Sequence, residues 1–131
     1  ANIRGHYGAG CCSALVKTAR AEGVMLNIET KIEAGAPSET APREQFVTAV
    51  LNEISKAGME KQVTMQSFDW GALMLIRKLK PELPIVALTN GQQFLQLGQD
   101  GKSPWLGGLD IDDFPGSTLQ SRYVAAAKIS A

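Results

Sequence analysis

The chain has 131 residues, 44% of them hydrophobic, and its 13 basic residues balance 13 acidic ones. This length and composition suit one domain with a packed core and leave too little chain for two. Because the charges are balanced and scattered, the sequence lacks the basic patch that is typical of proteins that bind nucleic acid or anionic membranes. No apolar run approaches the roughly 20 residues that span a bilayer, so we expect no transmembrane segment.

Residues 1–12 form a glycine-rich leader with two cysteines, which we predict to be irregular. Its glycines do not follow an apolar strand, as a dinucleotide-binding loop requires, so that function is not favoured. We expect a solvated or structural role for His6, the only histidine of the chain. The adjacent Cys11 and Cys12 would strain a mutual disulfide, and reduced thiols slightly favour a cytoplasmic location. A periplasmic or secreted location stays open if a signal peptide has been removed.

From residue 13 onward, helical and strand patterns alternate. Apolar residues at helical spacing predict a helix over 13–22. Alternating polar and apolar residues predict a strand over 24–32, and a loop rich in Gly, Ala and Pro follows at 33–41. Pro42 suits the first turn of a second helix, whose apolar spacing continues to a stop at Gly58.

The second half of the chain repeats this alternation. Residues 63–68 are typical of a strand, and Asp69 is placed to cap the helix that follows. The apolar run 84–88 is typical of a short strand buried on both faces of a parallel sheet. A long polar loop over 90–118 then precedes a last helix over 122–131.

Strands that alternate with helices indicate an α/β fold with right-handed crossovers and a parallel sheet. In such sheets the functional side chains lie at the carboxyl ends of the strands. Those ends carry Glu29 and Lys31 on one strand, the polar run 66–69 on the next, and Thr89 with Asn90 after the third. We therefore expect these side chains to converge on one cleft.

Two motifs on neighbouring strands carry a resemblance to a known family. Residues 26–31 read Leu-Asn-Ile-Glu-Thr-Lys, and residues 63–70 read Val-Thr-Met-Gln-Ser-Phe-Asp-Trp. Together with the strand at 84–89, they make the stretch from about residue 14 to 90 resemble the glycerophosphodiester phosphodiesterase family. The resemblance implies a TIM-type barrel that hydrolyses glycerophosphodiesters to an alcohol and glycerol 3-phosphate, with a divalent metal such as calcium or magnesium.

The resemblance also implies roles for three side chains. Glu29 would be a metal ligand, Lys31 would act at the phosphate as a catalytic and substrate-binding residue, and Phe68 would shape the substrate pocket. This assignment is chemically consistent, because a hard cation takes oxygen ligands. An ammonium and a metal ion can both neutralise charge that develops on phosphate oxygens.

Other motifs of that family do not occur in this sequence. The His-Arg-Gly and His-Asp motifs, which hold the catalytic histidines, and the Glu-x-Asp pair of metal ligands are missing. The resemblance therefore implies about strands four to six of eight, as a partial, incomplete TIM-type barrel over 13–131 that follows the leader at 1–12. Uncovered sheet edges and helix faces lead us to predict a homo-oligomer or a complementing chain.

Three functions stay open on the sequence alone. The first is a metal-dependent phosphodiesterase that needs a missing half or a partner chain. The second is a non-catalytic barrel fragment, which keeps the scaffold without the general acid and base. The third is a small-ligand or metal-binding α/β module that uses Glu29 and Lys31 alone.

Several other residues have simpler interpretations. Asp69 is expected to be a helix cap, and Ser67 has no adjacent base that would make it a nucleophile. The alternating carboxylates within 110–113 do not complete the spacing of a calcium loop, so we expect them to be solvated. Trp105 and Phe114 are expected to anchor the long loop.

Overall fold

A three-stranded parallel sheet organises the structure, a computed structural model that describes residues 24–90 and 102–130. Its strands, which lie side by side in chain order, are β1 (Leu26–Thr30), β2 (Val63–Ser67) and β3 (Ile85–Ala87). Both neighbouring pairs are parallel. The described part of the chain is therefore α/β, as the alternating pattern predicts.

Three helices in the described residues accompany the strands: α1 (Arg43–Ala57), α2 (Trp70–Leu79) and α3 (Leu119–Ser130). Helix α1 ends at the predicted stop, where Gly58 adopts the left-handed conformation with φ 64° and donates its N–H to the Ser55 carbonyl. Helix α2 begins at the predicted cap, where the Asp69 carboxylate accepts the Gly71 N–H at 3.1 Å.

The core lies between the sheet and the first two helices. Val63 and Met65 of β2 are fully buried, and they belong to one apolar cluster with Val47 and Ile54 of α1 and Ile76 of α2. Full burial of such a side chain stabilises a fold by about 1.5–3 kcal/mol. This packing fixes the sheet against the helices and thereby orients the strand ends.

The two faces of the sheet differ in polarity. Successive side chains of a strand point to opposite faces, so Thr30 and Ser67, which are buried, share the face that packs on the helices. The other face, here called the polar face, carries Asn27, Glu29 and Gln66, which are exposed or half-buried. The alternation in the strand is therefore confirmed, with Asn27 and Glu29 directed away from the core.

Strand β3 is more exposed than its sequence predicts. The apolar run 84–88 predicts burial on both faces, yet Val86 is 42% exposed and Ala87 is exposed as well. Within the described residues β3 is an edge of the sheet and pairs with β2 alone. A strand is buried on both faces only where a layer of structure covers each face, and Val86 shares the polar face with Gln66.

Helix α3 begins three residues before the predicted start. Thr118 accepts the backbone N–H of Ser121 on its Oγ1 at 3.2 Å, and its own N–H donates to the Ser121 Oγ at 3.1 Å. This reciprocal arrangement satisfies two N–H groups that a helix start leaves unpaired, which places the helix start at Leu119 rather than at residue 122.

The described part of the long loop is hydrogen-bonded to the start of α2. The Trp70 N–H donates to the Trp105 carbonyl at 2.8 Å. Phe114 is buried in the core cluster, so its expected anchoring role is confirmed. Gly107 has φ 67°, and a Cβ there would lie 3.0 Å from the Gly71 backbone nitrogen, so this close approach requires glycine.

Some predictions fall outside the described residues. These are the leader with His6 and its two cysteines, the helix over 13–22, and the part of the long loop at 91–101. Among the described helices, none combines the length and the apolar character that crossing a membrane demands.

Candidate functional site

A groove of about 350 Å³ opens at the carboxyl end of β1. Glu29 and Lys31 line it from β1 and the residue that follows it, Phe68 lines it after β2, and Asn90 lines it after β3. Trp105 contributes from the long loop. The structure thus brings together polar and aromatic residues from the ends of three parallel strands. The predicted convergence is found for Glu29, Lys31, Phe68 and Asn90, whereas the other predicted residues, Gln66, Ser67, Asp69 and Thr89, do not line the groove.

Glu29 lies at the centre of a row of polar side chains on the polar face. Its Oε1 accepts a hydrogen bond from the Lys31 Nζ at 2.5 Å, and its Oε2 lies 3.5 Å from the Gln66 Nε2, which donates to it. The Asn27 amide donates in turn to the Gln66 Oε1 at 2.7 Å. Glu29 and Gln66 occupy paired positions of β1 and β2, so the strand register sets this contact.

Lys31 combines a carboxylate partner with an aromatic one. Its Nζ lies 5.9 Å from the centroid of the Phe68 ring, within the range of a cation–π contact. Its side chain is 77% exposed, whereas that of Glu29 is 24% exposed. An exposed ion pair of this kind adds only about 0–1 kcal/mol to stability. The Lys31 ammonium therefore remains available to an anion that enters the groove.

Several other residues of the groove were not predicted from the sequence to lie there. Glu33 and Glu39 line it from the segment after β1, and Trp105 is a wall of the groove as well as a loop anchor. A Cβ built on Gly35 would lie 3.3 Å from the Glu33 Oε1 and 3.4 Å from the Trp105 Nε1, so both side chains close over this glycine. Loop composition alone gives no signal for such a contact across about 70 residues of sequence.

Ser67 and Asp69 face the interior and do not line the groove. The Ser67 Oγ accepts the Thr30 hydroxyl hydrogen at 2.7 Å and the Asp69 N–H at 3.0 Å, and it lies 3.3 Å from the Thr30 carbonyl. All three residues are at most 2% exposed. The prediction that Asp69 caps a helix is confirmed, and Ser67 has a structural hydrogen-bonding role in place of a nucleophilic one.

Arg43, the first residue of α1, was not singled out by the sequence. Its Nε donates to Asp69 Oδ2 at 2.7 Å and its Nη2 donates to Asp69 Oδ1 at 2.9 Å, a bidentate pair that ties α1 to α2. The hydrogen bonds to the Asp69 carboxylate raise the pKa of Arg43 above its usual range, against the opposing effect of burial. A Cβ on Gly71 would lie 2.5 Å from the Arg43 Cζ, so the guanidinium packs directly over this glycine.

The carboxylates at 110–113 take part in local structure. Asp110 accepts the Asp112 N–H at 2.9 Å and caps a short 3-10 helix over Ile111–Asp113. The Asp112 carboxylate pairs with the Arg122 guanidinium at 3.1 Å, and Asp112 and Asp113 are exposed. The expected exposure to solvent is confirmed for Asp112 and Asp113, whereas Asp110 is half-buried.

The oxygen ligands around Glu29 are too few for a hard cation. Calcium takes about 6–8 oxygen ligands, and magnesium needs near-octahedral geometry. Within 24–90 and 102–130, no group of three or more His, Cys, Asp or Glu side chains is placed to hold a metal ion. Both Glu29 oxygens also have donors in Lys31 and Gln66. The described residues therefore do not form a complete divalent-cation site by themselves.

Comparison with known proteins gives one family match. The model of the glycerophosphoryl diester phosphodiesterase family matches residues 11–102, which include both motifs and the groove residues from Glu29 to Asn90. The searches of curated proteins and of solved structures gave no match.

Proposed function

Because this chain belongs to the glycerophosphoryl diester phosphodiesterase family, we propose that its groove binds glycerophosphodiesters and serves their hydrolysis to an alcohol and glycerol 3-phosphate. One observation carries the proposal: Glu29, Lys31 and Phe68 lie together in the groove at the carboxyl end of the sheet. A function placed at this end agrees with the general behaviour of parallel α/β sheets.

Lys31 would supply the positive charge for the phosphate. A phosphodiester carries one negative charge, and the charge on its oxygens grows as a nucleophile adds to phosphorus. An ammonium held by Glu29 and Phe68 is oriented before substrate arrives, so less reorganisation is needed during the reaction. Phe68 would in addition form an apolar wall for the glycerol moiety or the alcohol.

Calcium or magnesium stays part of the proposal in a limited form. Glu29 can offer a carboxylate oxygen, but the described donor set does not complete a site for either ion. We propose that a divalent cation binds here only when further oxygen ligands come from outside the described residues. The roles of Lys31 and Phe68 above do not depend on that ion.

We also propose that the sheet is an arc of a TIM-type barrel. Three features support it: strands in chain order, parallel pairing, and a polar face opposite the helices. Three strands cannot close a barrel, so further strands would come from other segments or from a second copy of the chain. If a second copy supplies them, multi-angle light scattering is expected to show an oligomer, and a compact monomer at all concentrations would contradict that source of the strands.

Binding without hydrolysis is the second candidate function. The histidine content favours it, because His6 is the one histidine in the sequence and lies outside the described residues. Proton transfer by a positioned group contributes about 10²–10⁴-fold to a rate, and none of the described residues is a histidine. In that case the chain would be a non-catalytic fragment or a small-ligand module that still recognises a phosphate.

Replacing Glu29 by glutamine tests the proposal. We expect release of glycerol 3-phosphate from glycerophosphocholine, assayed with calcium or magnesium, to fall at least about tenfold, which is about 1.4 kcal/mol of transition-state stabilisation. The matched control is Glu53→Gln. Glu53 is 26% exposed and pairs with Lys56 at 2.9 Å, much as Glu29 pairs with Lys31, but it does not line the groove.

The assay also separates the two candidates. If the unaltered chain does not release glycerol 3-phosphate but binds it in calorimetry, and Glu29→Gln alters that binding while Glu53→Gln does not, the binding module is supported. If the unaltered chain shows no turnover and no binding, a role for the groove is refuted.

A further inference from the structure

The buried hydroxyl pair of Thr30 and Ser67 lies at the base of the groove, where Thr30 is one of the lining residues and Ser67 is not. Thr30 is 2% exposed and Ser67 is fully buried, and they occupy paired positions at the ends of β1 and β2. Thr30 stands between Glu29 and Lys31 in the sequence, as Ser67 stands between Gln66 and Phe68. The hydrogen bond between Thr30 and Ser67 therefore lies between two side-chain contacts of the groove, that of Glu29 with Gln66 and that of Lys31 with Phe68.

Ser67 uses its hydrogen-bonding capacity to join three segments. Its Oγ receives the Thr30 hydroxyl and the Asp69 N–H, and its own hydrogen can reach the Thr30 carbonyl. Asp69 continues the connection to Arg43 through the bidentate pair. A hydroxyl forms one donor and two acceptor contacts, so this site satisfies Ser67 fully.

On the groove side, the strand register determines the neighbours of Glu29 and Lys31. Gln66 donates to Glu29, and the Phe68 ring lies beside Lys31. A register change of one residue would exchange the two faces of a strand and separate both contacts. The end of β1 is where such a change is opposed, because Thr30 is the last residue of the strand.

We propose that Ser67 is a positioning residue of the groove, which holds the ends of β1 and β2 in register so that Lys31 stays beside Phe68 and Glu29 beside Gln66. This inference rests on the proposed function only in its choice of glycerol 3-phosphate as the ligand, because the positioning role itself concerns the chain without ligand. Ser67 does not touch the substrate and acts through the strand ends.

The test replaces Ser67 by alanine and measures two properties. The first is the ring-current shift that Phe68 imposes on the Lys31 side-chain protons, measured by NMR without ligand, with Phe68→Leu defining zero. The second is the dissociation constant of glycerol 3-phosphate by calorimetry. Val47→Ala is the control, because Val47 is a fully buried α1 residue whose truncation lowers stability, and it takes no part in the hydrogen bonds of Ser67.

We expect Ser67→Ala to lose at least half of the ring-current shift and to weaken glycerol 3-phosphate binding about tenfold. Val47→Ala should keep both properties at a similar loss of Tm. A full ring-current shift in Ser67→Ala, or an equal loss in Val47→Ala, would overturn the proposal. If the shift is lost while the unaltered chain binds no glycerol 3-phosphate, the positioning role stands and the proposed function fails.

Discussion

Replacing Lys31 by methionine is expected to lower kcat/KM for glycerophosphodiester hydrolysis by about 10²–10³-fold, the usual effect of removing one group that stabilises charge in the transition state. Methionine keeps an unbranched chain of similar length beside Phe68 and removes only the ammonium. Because the Lys31 side chain is 77% exposed, the free energy of unfolding should change by less than about 1 kcal/mol. Activity and stability should therefore respond separately.

The control for this variant is Lys56→Met. Lys56 is 72% exposed and pairs with Glu53, so it matches Lys31 in exposure and in partner but lies on α1. Steady-state kinetics give the effect on turnover, and calorimetry with glycerol 3-phosphate gives the effect on binding where turnover is too slow to measure. If Lys31→Met and Lys56→Met behave alike in both measurements, Lys31 has no role at the phosphate.

Replacing Arg43 by methionine is expected to lower the free energy of unfolding by about 3 kcal/mol, at the low end of the range for breaking a buried ion pair. The loss arises because the Asp69 carboxylate is fully buried and would keep only its contact with the Gly71 N–H. The Arg43 side chain is 35% exposed, so water can compensate part of the lost interaction.

Urea denaturation followed by tryptophan fluorescence measures this effect, since Trp70 is buried at the start of α2. Lys56→Met again serves as the control, with an expected change below about 0.5 kcal/mol for an exposed helix pair. Arg43→Lys keeps the charge but not the two parallel hydrogen bonds, so an intermediate loss is expected. An Arg43→Met variant as stable as the unaltered chain would show that the pair contributes nothing to the fold.

The element order in the described residues follows from local patterns in the sequence. Alternation in 26–30, the apolar spacing of α1 and the stop at Gly58 each depend on neighbours within about one or two helical turns. The position of Asp69 ahead of an apolar helix predicts its role as a cap without any tertiary contact. Such local rules also predict Glu29 and Lys31 at the carboxyl end of the sheet, where the structure has the groove.

What the sequence did not reveal depends on contacts between distant segments. The pairing of Arg43 with Asp69 joins residues 26 positions apart, and nothing local distinguishes this arginine from a solvated one. Trp105 reaches the groove from the described part of the long loop, where its carbonyl accepts the Trp70 N–H at the start of α2. The exposure of β3 depends on what covers the polar face, which an apolar run of five residues cannot specify.

The close contact between Gly71 and Arg43 couples substitutions at these two positions. A Cβ at position 71 would collide with the guanidinium, and two hydrogen bonds to Asp69 hold that group in place. A side chain at position 71 would displace the guanidinium of Arg43 from Asp69. A shorter side chain at position 43 would free this space but leave the buried Asp69 carboxylate without its guanidinium partner. Either change weakens the pair with Asp69, so substitutions at positions 71 and 43 are expected to have non-additive effects on the free energy of unfolding.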